Sequence, residues 1–281
     1  MTAAAAAAAE SAAALPVVDL RSFDSVEGLA ADLMRVGKNP GFFYVVGHEL
    51  RDDVAADMFA LAETFFSSPL EEKLAYANGS GDLMPRDFLS KAHTGESCRM
   101  RLINYPPVSE VSPSTTTSSS LEDAPASNSE DIRAGAHSDY GSLTLLFRQP
   151  SDQGGLQVLR GGGGNNAAAW ADVPCIPDAI VVNIGDALEF WTAGRLRSTV
   201  HRVAFPRSVS ENVARLSIPV FIQPDRHVVL APIKEDRRNG GGGGADAEFL
   251  EVLRRKGYES AEPVTSREHL ERRIRATYGK I

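Results

Sequence analysis

The sequence predicts a mainly β fold, an antiparallel sandwich or barrel, preceded by a helical region. Two observations carry this. From about Arg101, short runs rich in β-formers recur between turn signals: Leu143–Phe147, Leu156–Leu159, Ile180–Asn183, Thr199–Phe205 and Leu216–Ile222. That spacing suits paired antiparallel sheets. From Leu15 to about Leu74 the apolar period is helical instead. The chain has 281 residues, 43% hydrophobic and 23% charged, so it can bury a core of ordinary globular composition.

Residues 1–14 are nearly all alanine and read as a disordered leader. They lack the basic start and rich apolar middle of a secretory signal, and the arginines of a transit peptide. A cytoplasmic location is the resulting expectation. Residues 15–100 form the N-terminal region. Val26, Leu29, Ala30, Leu33 and Val36 make one helical stripe, with Asp24 or Ser25 as N-cap and Gly37 as stop. Phe42–Val46 reads as a buried strand. Val54, Met58, Leu61, Ala62 and Phe65 make a second helical stripe, and Ser68, Pro69 and Glu71 start a third helix.

The β core spans residues 101–235. An insert at 109–130, dense in Ser, Thr and Pro, has too little apolar surface to offset its ordering entropy. Glycine runs at Gly161–Gly164 and Gly240–Gly244 read as further surface loops. Helices return at 245–281. There Thr265 and Glu268 form a capping box, and Leu270, Ile274 and Tyr278 share a face.

Charge and cysteine count narrow the function. The net charge is −8. A nucleic-acid binder needs a basic face to displace phosphate counterions. Here the basic runs Arg254–Lys256 and Arg272, Arg273 and Arg275 read as solvated helix faces. No apolar run approaches the roughly 20 residues of a membrane span. The two cysteines, Cys98 and Cys175, exclude a disulfide scaffold and an all-cysteine metal site, and they suit a reducing compartment.

His137-Ser138-Asp139 precedes the run Leu143–Phe147. In extended chain, residues i and i+2 point the same way, so His137 and Asp139 can reach one centre. Alone, the pair also reads as a turn with two solvated groups. His201 lies in a later β run, where a core histidine is the bland alternative. Two His and one carboxylate on β-strands are the donor set of a facial Fe(II) site with open positions. Arg215 and Ser217 share one face of the run Leu216–Ile222, and an Arg with a neighbouring hydroxyl can hold a carboxylate.

These residues sit in a series of motifs. Leu15-Pro16-Val17-Val18-Asp19-Leu20, Gly41 to His48, Pro69-Leu70-Glu71-Glu72-Lys73 and Asn104-Tyr105-Pro106-Pro107 come first. His137 to Leu146, Gly155-Leu156-Gln157-Val158, Trp170, Val182 to Asp186 and Trp191 to Gly194 follow. Ser198 to Val203 and Arg215 to Pro219 complete the order. Over roughly residues 15 to 225 the chain resembles the Fe(II)/2-oxoglutarate-dependent oxygenases of the isopenicillin N synthase-like family. The resemblance implies a double-stranded β-helix, or jelly roll, with the helical region packed on it. It implies His137, Asp139 and His201 as iron ligands. Arg215, Ser217 and Tyr105 would bind 2-oxoglutarate, O₂ would be the oxidant, and ascorbate would support turnover. A small organic molecule is the implied substrate, with Phe190 and Trp191 as candidate pocket walls.

His48, His93, His227 and His269 are left outside the site, and Asp186 is explained by turn chemistry. One departure stands out. The interval from Lys73 to Tyr105 is short for the family, with little helical period. It implies either a more open pocket or a missing segment, and the second would leave an apolar sheet face bare. Two alternatives stay open: an iron oxidase of the same fold that does not use 2-oxoglutarate, and a non-catalytic metal-binding barrel. Consumption of 2-oxoglutarate separates the first, and Fe(II) chelation the second. A zinc hydrolase is a more distant alternative, and it would need a general base near the metal.

Overall fold

A computed structural model of the chain describes residues 15–67, 93–108, 132–149, 154–161, 168–232, 244–258 and 261–278. The leader, the third helix start at Ser68, Pro69 and Glu71, and the insert at 109–130 lie outside the described residues. So do most of the two glycine runs and most of the short Lys73–Tyr105 interval.

Strand β1 (Val17–Asp19) pairs in parallel with β2 (Phe42–Val46). Helix α1 (Val26–Lys38) links them, capped by Ser25, whose Oγ accepts from the Gly28 N–H at 3.1 Å. The expected stop at Gly37 is corrected. The helix runs on to Lys38 and ends at Asn39, where Pro40 removes the next donor. Gly37 instead faces the core, and a Cβ there would lie 2.8 Å from Leu196 Cδ2. The buried stripe is also narrower than expected. Val36 and Gly37 are buried, Leu29 and Leu33 pack partly, and Val26 stays 78% exposed. Helix α2 (Asp52–Ser67) packs against the sheet through a thin line, so Ala62 is buried while Leu61 is exposed.

The core strands follow: β3 (Arg99–Met100), β4 (Ile103–Tyr105), β5 (Ile132–His137), β6 (Leu143–Arg148), β7 (Leu156–Arg160), β8 (Ala169–Asp172) and β9 (Ile180–Ile184). After a short helix α3 (Asp186–Trp191) come β10 (His201–Ala204), β11 (Arg215–Ile222) and β12 (Val229–Leu230). Helix α4 (Gly244–Lys256), β13 (Val264–Thr265) and helix α5 (Ser266–Tyr278) end the chain.

The larger sheet runs β1-β2-β9-β6-β11-β3, with β4 also beside β11, and the smaller runs β5-β10-β7-β8. Successive strands β5, β6 and β7, then β9, β10 and β11, alternate between the two sheets. That alternation is the winding of a jelly roll. Leu15, Phe42, Tyr44, Leu156, Val158, Val173, Val181 and Val203 fill the space between the sheets. The outer face of the larger sheet buries Phe43, Val45 and Val182 against α1. Gly41 (φ +73°) turns the chain from α1 into β2, and a Cβ there would collide with the Arg197 carbonyl.

The capping box of α5 forms as its residues dictate. The Thr265 N–H donates to Glu268 Oε2 at 2.9 Å, and the Glu268 N–H donates to Thr265 Oγ1 at 3.2 Å. Its inward face differs from expectation. Ser266, His269 and Arg273 are buried, while Leu270 and Ile274 pack only partly. The reason is the partners: Arg273 meets Asp186, His269 packs with Tyr258 and Phe190, and Ser266 Oγ donates to the Pro224 carbonyl at 2.9 Å.

His269 is 1% exposed, and its Nε2 lies 2.7 Å from the Tyr258 hydroxyl. Burial pushes its pKa down from 6.5 to about 4, against the pull of Asp186. The unfolded chain therefore binds the extra proton between those values and the folded chain does not. The contribution of His269 to stability is full above pH 6.5 and falls by about 1.4 kcal/mol per pH unit as pH drops towards 4. His269→Gln is expected to flatten that slope, read as Tm between pH 7 and 4.5. An unchanged slope would mean that other groups govern it.

Candidate metal centre

Register brings the two histidines together. His137 ends β5, His201 opens β10, and the two are direct cross-strand partners. Such partners point to the same face. Their ring centroids lie 4.4 Å apart. Asp139, two residues beyond His137, completes the group. Its Oδ1 is 3.8 Å from His137 Nε2 and 3.7 Å from His201 Nε2. The three ligand atoms lie within 4.8 Å of one another.

Hydrogen bonds leave one donor atom free on each residue. Asp139 Oδ2 accepts from Thr144 Oγ1 at 2.5 Å and Asn183 Nδ2 at 2.8 Å, so Oδ1 is the free oxygen. His137 Nδ1 lies 2.7 Å from the Gly135 carbonyl, and His201 Nδ1 lies 3.2 Å from the Thr199 carbonyl. A carbonyl only accepts, so each Nδ1 carries the proton and each Nε2 presents a lone pair. Burial holds His201 below its ordinary pKa, against the pull of Asp139, so the ring is neutral as a ligand must be. The Phe42 ring meets His201 edge-on at 5.5 Å and fixes its plane. A facial His-Asp-His set fits a divalent cation. The His137 side chain is 40% exposed against 10% for His201, so the centre opens on the His137 side.

Arg215 opens β11 and is 2% exposed. It is paired in register with Tyr105 on β4, and its guanidinium carbon sits 4.8 Å over that ring. Ser217, two residues on, shares the face and is buried. Sequence reasoning missed a second guanidinium here. Arg148 on β6 is the register partner of Ser217, and it is 8% exposed. Its Nη1 donates to the carbonyls of Val173 at 2.7 Å and Pro174 at 2.9 Å.

Arg215 Nε and Arg148 Nε and Nη2 are buried without partners, and among the described residues no carboxylate answers either cation. Burial, then the nearby Arg148, pushes Arg215 down to about 10, still charged at neutral pH. Burial raises the Tyr105 phenol, so it stays a donor. Unpaired buried cations are costly, and the pair Arg215 and Arg148 suits an anion. The signal for Arg148 was its place on the inner face with Thr144 and Leu146, two residues apart along β6. Asn183 was likewise legible as one polar residue in an apolar strand.

The remaining candidates sit elsewhere. Phe190 is buried with Phe249, Tyr258 and His269, between α3 and the C-terminal helices. Trp191 packs at the edge of that cluster and stacks at 6.4 Å on His93. His48 lies 3.1 Å from the Asp178 carbonyl, His93 lies 2.9 Å from Ser142 Oγ, and His227 is exposed. Asp186 corrects its reading as a turn residue: it is fully buried at the centre of an ion cluster. Lys256 and Arg273 are corrected with it, from solvated helix faces to the buried partners of Asp186.

Comparison with known proteins settles the family. The model of the 2OG-Fe(II) oxygenase superfamily matches residues 97–224. A second, described as the non-haem dioxygenase in morphine synthesis N-terminal, matches residues 15–94. The chain belongs to the 2OG-Fe(II) oxygenase superfamily. A UPF0676 protein of Schizosaccharomyces pombe is 35% identical over 73% of this chain and 51% of its own length. The chain thus spans about half of that relative. Feruloyl CoA ortho-hydroxylase 2 of Arabidopsis thaliana is 25% identical over 80% of this chain and 74% of its own.

A Neurospora crassa protein solved with alpha-KG and 5-formyluracil superposes with a TM-score of 0.67 at 21% identity, covering 93% of this chain and 96% of that one. The rice dioxygenase for auxin oxidation gives 0.63 at 20%, covering 95% and 96%. The structural likeness shows the jelly-roll fold that the superfamily member carries. Among the described residues, no helix is long and apolar enough to cross a membrane.

Proposed function

We propose that this oxygenase uses His137, Asp139 and His201 to hold Fe(II), and Arg215, Ser217 and Tyr105 to hold the far carboxylate of 2-oxoglutarate. The observation that carries the reading is two unmet demands at the two ends of β6, where Thr144 holds Asp139 and Arg148 is the register partner of Ser217. Three free donor atoms converge at one end, and buried guanidinium groups without a counter-charge stand at the other. A dianion that reaches both would answer both. Bound iron and 2-oxoglutarate would together supply oxidation of a substrate C–H bond by O₂, with release of succinate and CO₂.

The chain's own residues do the positioning. His137 and His201 give neutral nitrogen donors and Asp139 gives one negative charge, so a divalent metal keeps one net positive charge for an anionic co-substrate. Thr144 and Asn183 hold Asp139 to one free oxygen. Arg215 fixes one end of the co-substrate by charge-assisted contact, and Tyr105 orders the guanidinium from its ring face. The open side at His137 admits a small organic substrate, which is hydroxylated or desaturated. Net charge −8 supports a small-molecule partner over nucleic acid. Two free cysteines support a cytoplasmic site of action. The test is release of succinate from 2-oxoglutarate by the purified chain. Release that requires added Fe(II) is expected. None from folded protein under saturating Fe(II), 2-oxoglutarate and ascorbate, with or without a panel of small substrates, would contradict the assignment.

A further inference from the structure

The metal loop is tied to the C-terminal helices by a buried charge cluster that the chemistry above does not use. Asp186, fully buried at the start of α3, is its hub. Its backbone N–H donates to the Asp139 carbonyl at 2.7 Å. Its carboxylate receives four side-chain donors. Ser198 Oγ lies 2.6 Å and Lys256 Nζ 2.6 Å from Oδ1; Ser138 Oγ lies 3.1 Å and Arg273 Nε 2.7 Å from Oδ2. A Cβ at Gly185 would collide with the Gly141 carbonyl, so only glycine lets this hub sit so close to the loop.

Lys256 is the member with the longest reach. It closes α4, and its side chain is 4% exposed. Besides Asp186, its ammonium donates to Ser138 Oγ at 2.8 Å and Ser198 Oγ at 3.3 Å. Ser138 lies between His137 and Asp139, and Ser198 lies three residues before His201. One buried cation therefore grips both segments that carry the candidate ligands. Arg273 on α5 reaches Asp186 and also donates to the Lys256 carbonyl, so the helix pair holds the cluster as a unit. Glu189 joins it, 3.7 Å from Lys256 Nζ and bridged at 2.7 Å to Arg255.

We propose that Lys256, through Ser138 and Ser198, is a positioning residue of the metal centre, by which the C-terminal helix pair sets the spacing of the ligand-bearing segments. This rests on the metal reading above. Loss of an outer-shell partner typically costs metal affinity about 10–100-fold.

The test uses the full chain and Co(II), a visible stand-in of the same charge. Co(II) affinity is read from its d–d absorption well below each variant's Tm. Lys256→Met is expected to weaken Co(II) binding about 10–100-fold. Val264→Ala, in the apolar packing of the same helices but away from the loop, is the stability control. It is expected to lower Tm and leave Co(II) affinity within about twofold of the parent, well short of an outer-shell loss. Parent-like affinity in Lys256→Met would overturn the proposal, and so would an equal loss in Val264→Ala. If Lys256→Met fails to fold, Ser138→Ala decides. It removes the hydroxyl that joins the loop to Lys256 and Asp186, and it must also weaken Co(II) binding, with unchanged affinity again overturning the proposal. A parent that binds no Co(II) would sink the metal reading itself, a separate result.

Discussion

His201→Ala is expected to take succinate formation to background while the apo-protein still folds. Removing one of three donors leaves a two-ligand site. Asp139 Oδ1 would then face His137 alone, and that ring is 40% exposed at the open mouth. The loss should exceed the about 10–100-fold typical of an outer-shell partner. The apo-state cost is smaller, because the lost ring makes one backbone hydrogen bond and ring contacts with Phe42 and His137. Succinate release and apo-protein Tm are the two readings. A variant that keeps parental turnover would remove His201 from the mechanism.

Arg215→Met carries the second large effect, and its two readouts should move in opposite directions. In the free protein, Arg215 is a buried cation without a carboxylate partner among the described residues. Replacing it with an apolar chain of similar length is expected to leave Tm unchanged or raise it. With 2-oxoglutarate present, one charge-assisted interaction is lost, about 1.5–3 kcal/mol. That corresponds to about a 10–150-fold rise in the 2-oxoglutarate concentration needed for half-maximal turnover. Arg148, on the neighbouring strand, keeps the variant from losing all affinity. A fall in Tm with an unchanged 2-oxoglutarate requirement would make Arg215 a structural residue.

The strands that carry the site were readable because their demands are local. β6, β9 and β11 are apolar runs whose few polar residues are Thr144 and Arg148, Asn183, and Arg215 and Ser217. The His-x-Asp spacing and the Arg-x-Ser spacing follow from the period of an extended chain. β5 was missed because Ile132–His137 has little apolar content and a glycine. Its strand form comes from pairing with β10, a contact across more than sixty residues of sequence.

The charge cluster was missed for a different reason. Lys256 and Arg273 sit in runs of like charge, and a helical run does not say which member turns inward. That choice is set by Asp186, far away in sequence and here fully buried. Burial alone would raise Asp186, yet Lys256 and Arg273 outweigh it and hold the carboxyl below its ordinary value. Isolated, each of these residues has an ordinary surface reading; only the tertiary fold gives them a counter-charge.

Anaerobic visible absorption of the purified chain, titrated with Fe(II) and then with 2-oxoglutarate, tests the central claim most directly. A metal-to-ligand charge-transfer band is expected only when both are present, lost in His201→Ala and shifted to higher 2-oxoglutarate in Arg215→Met. Folded protein that shows no band at saturating Fe(II) and 2-oxoglutarate would contradict the claim that one site holds both.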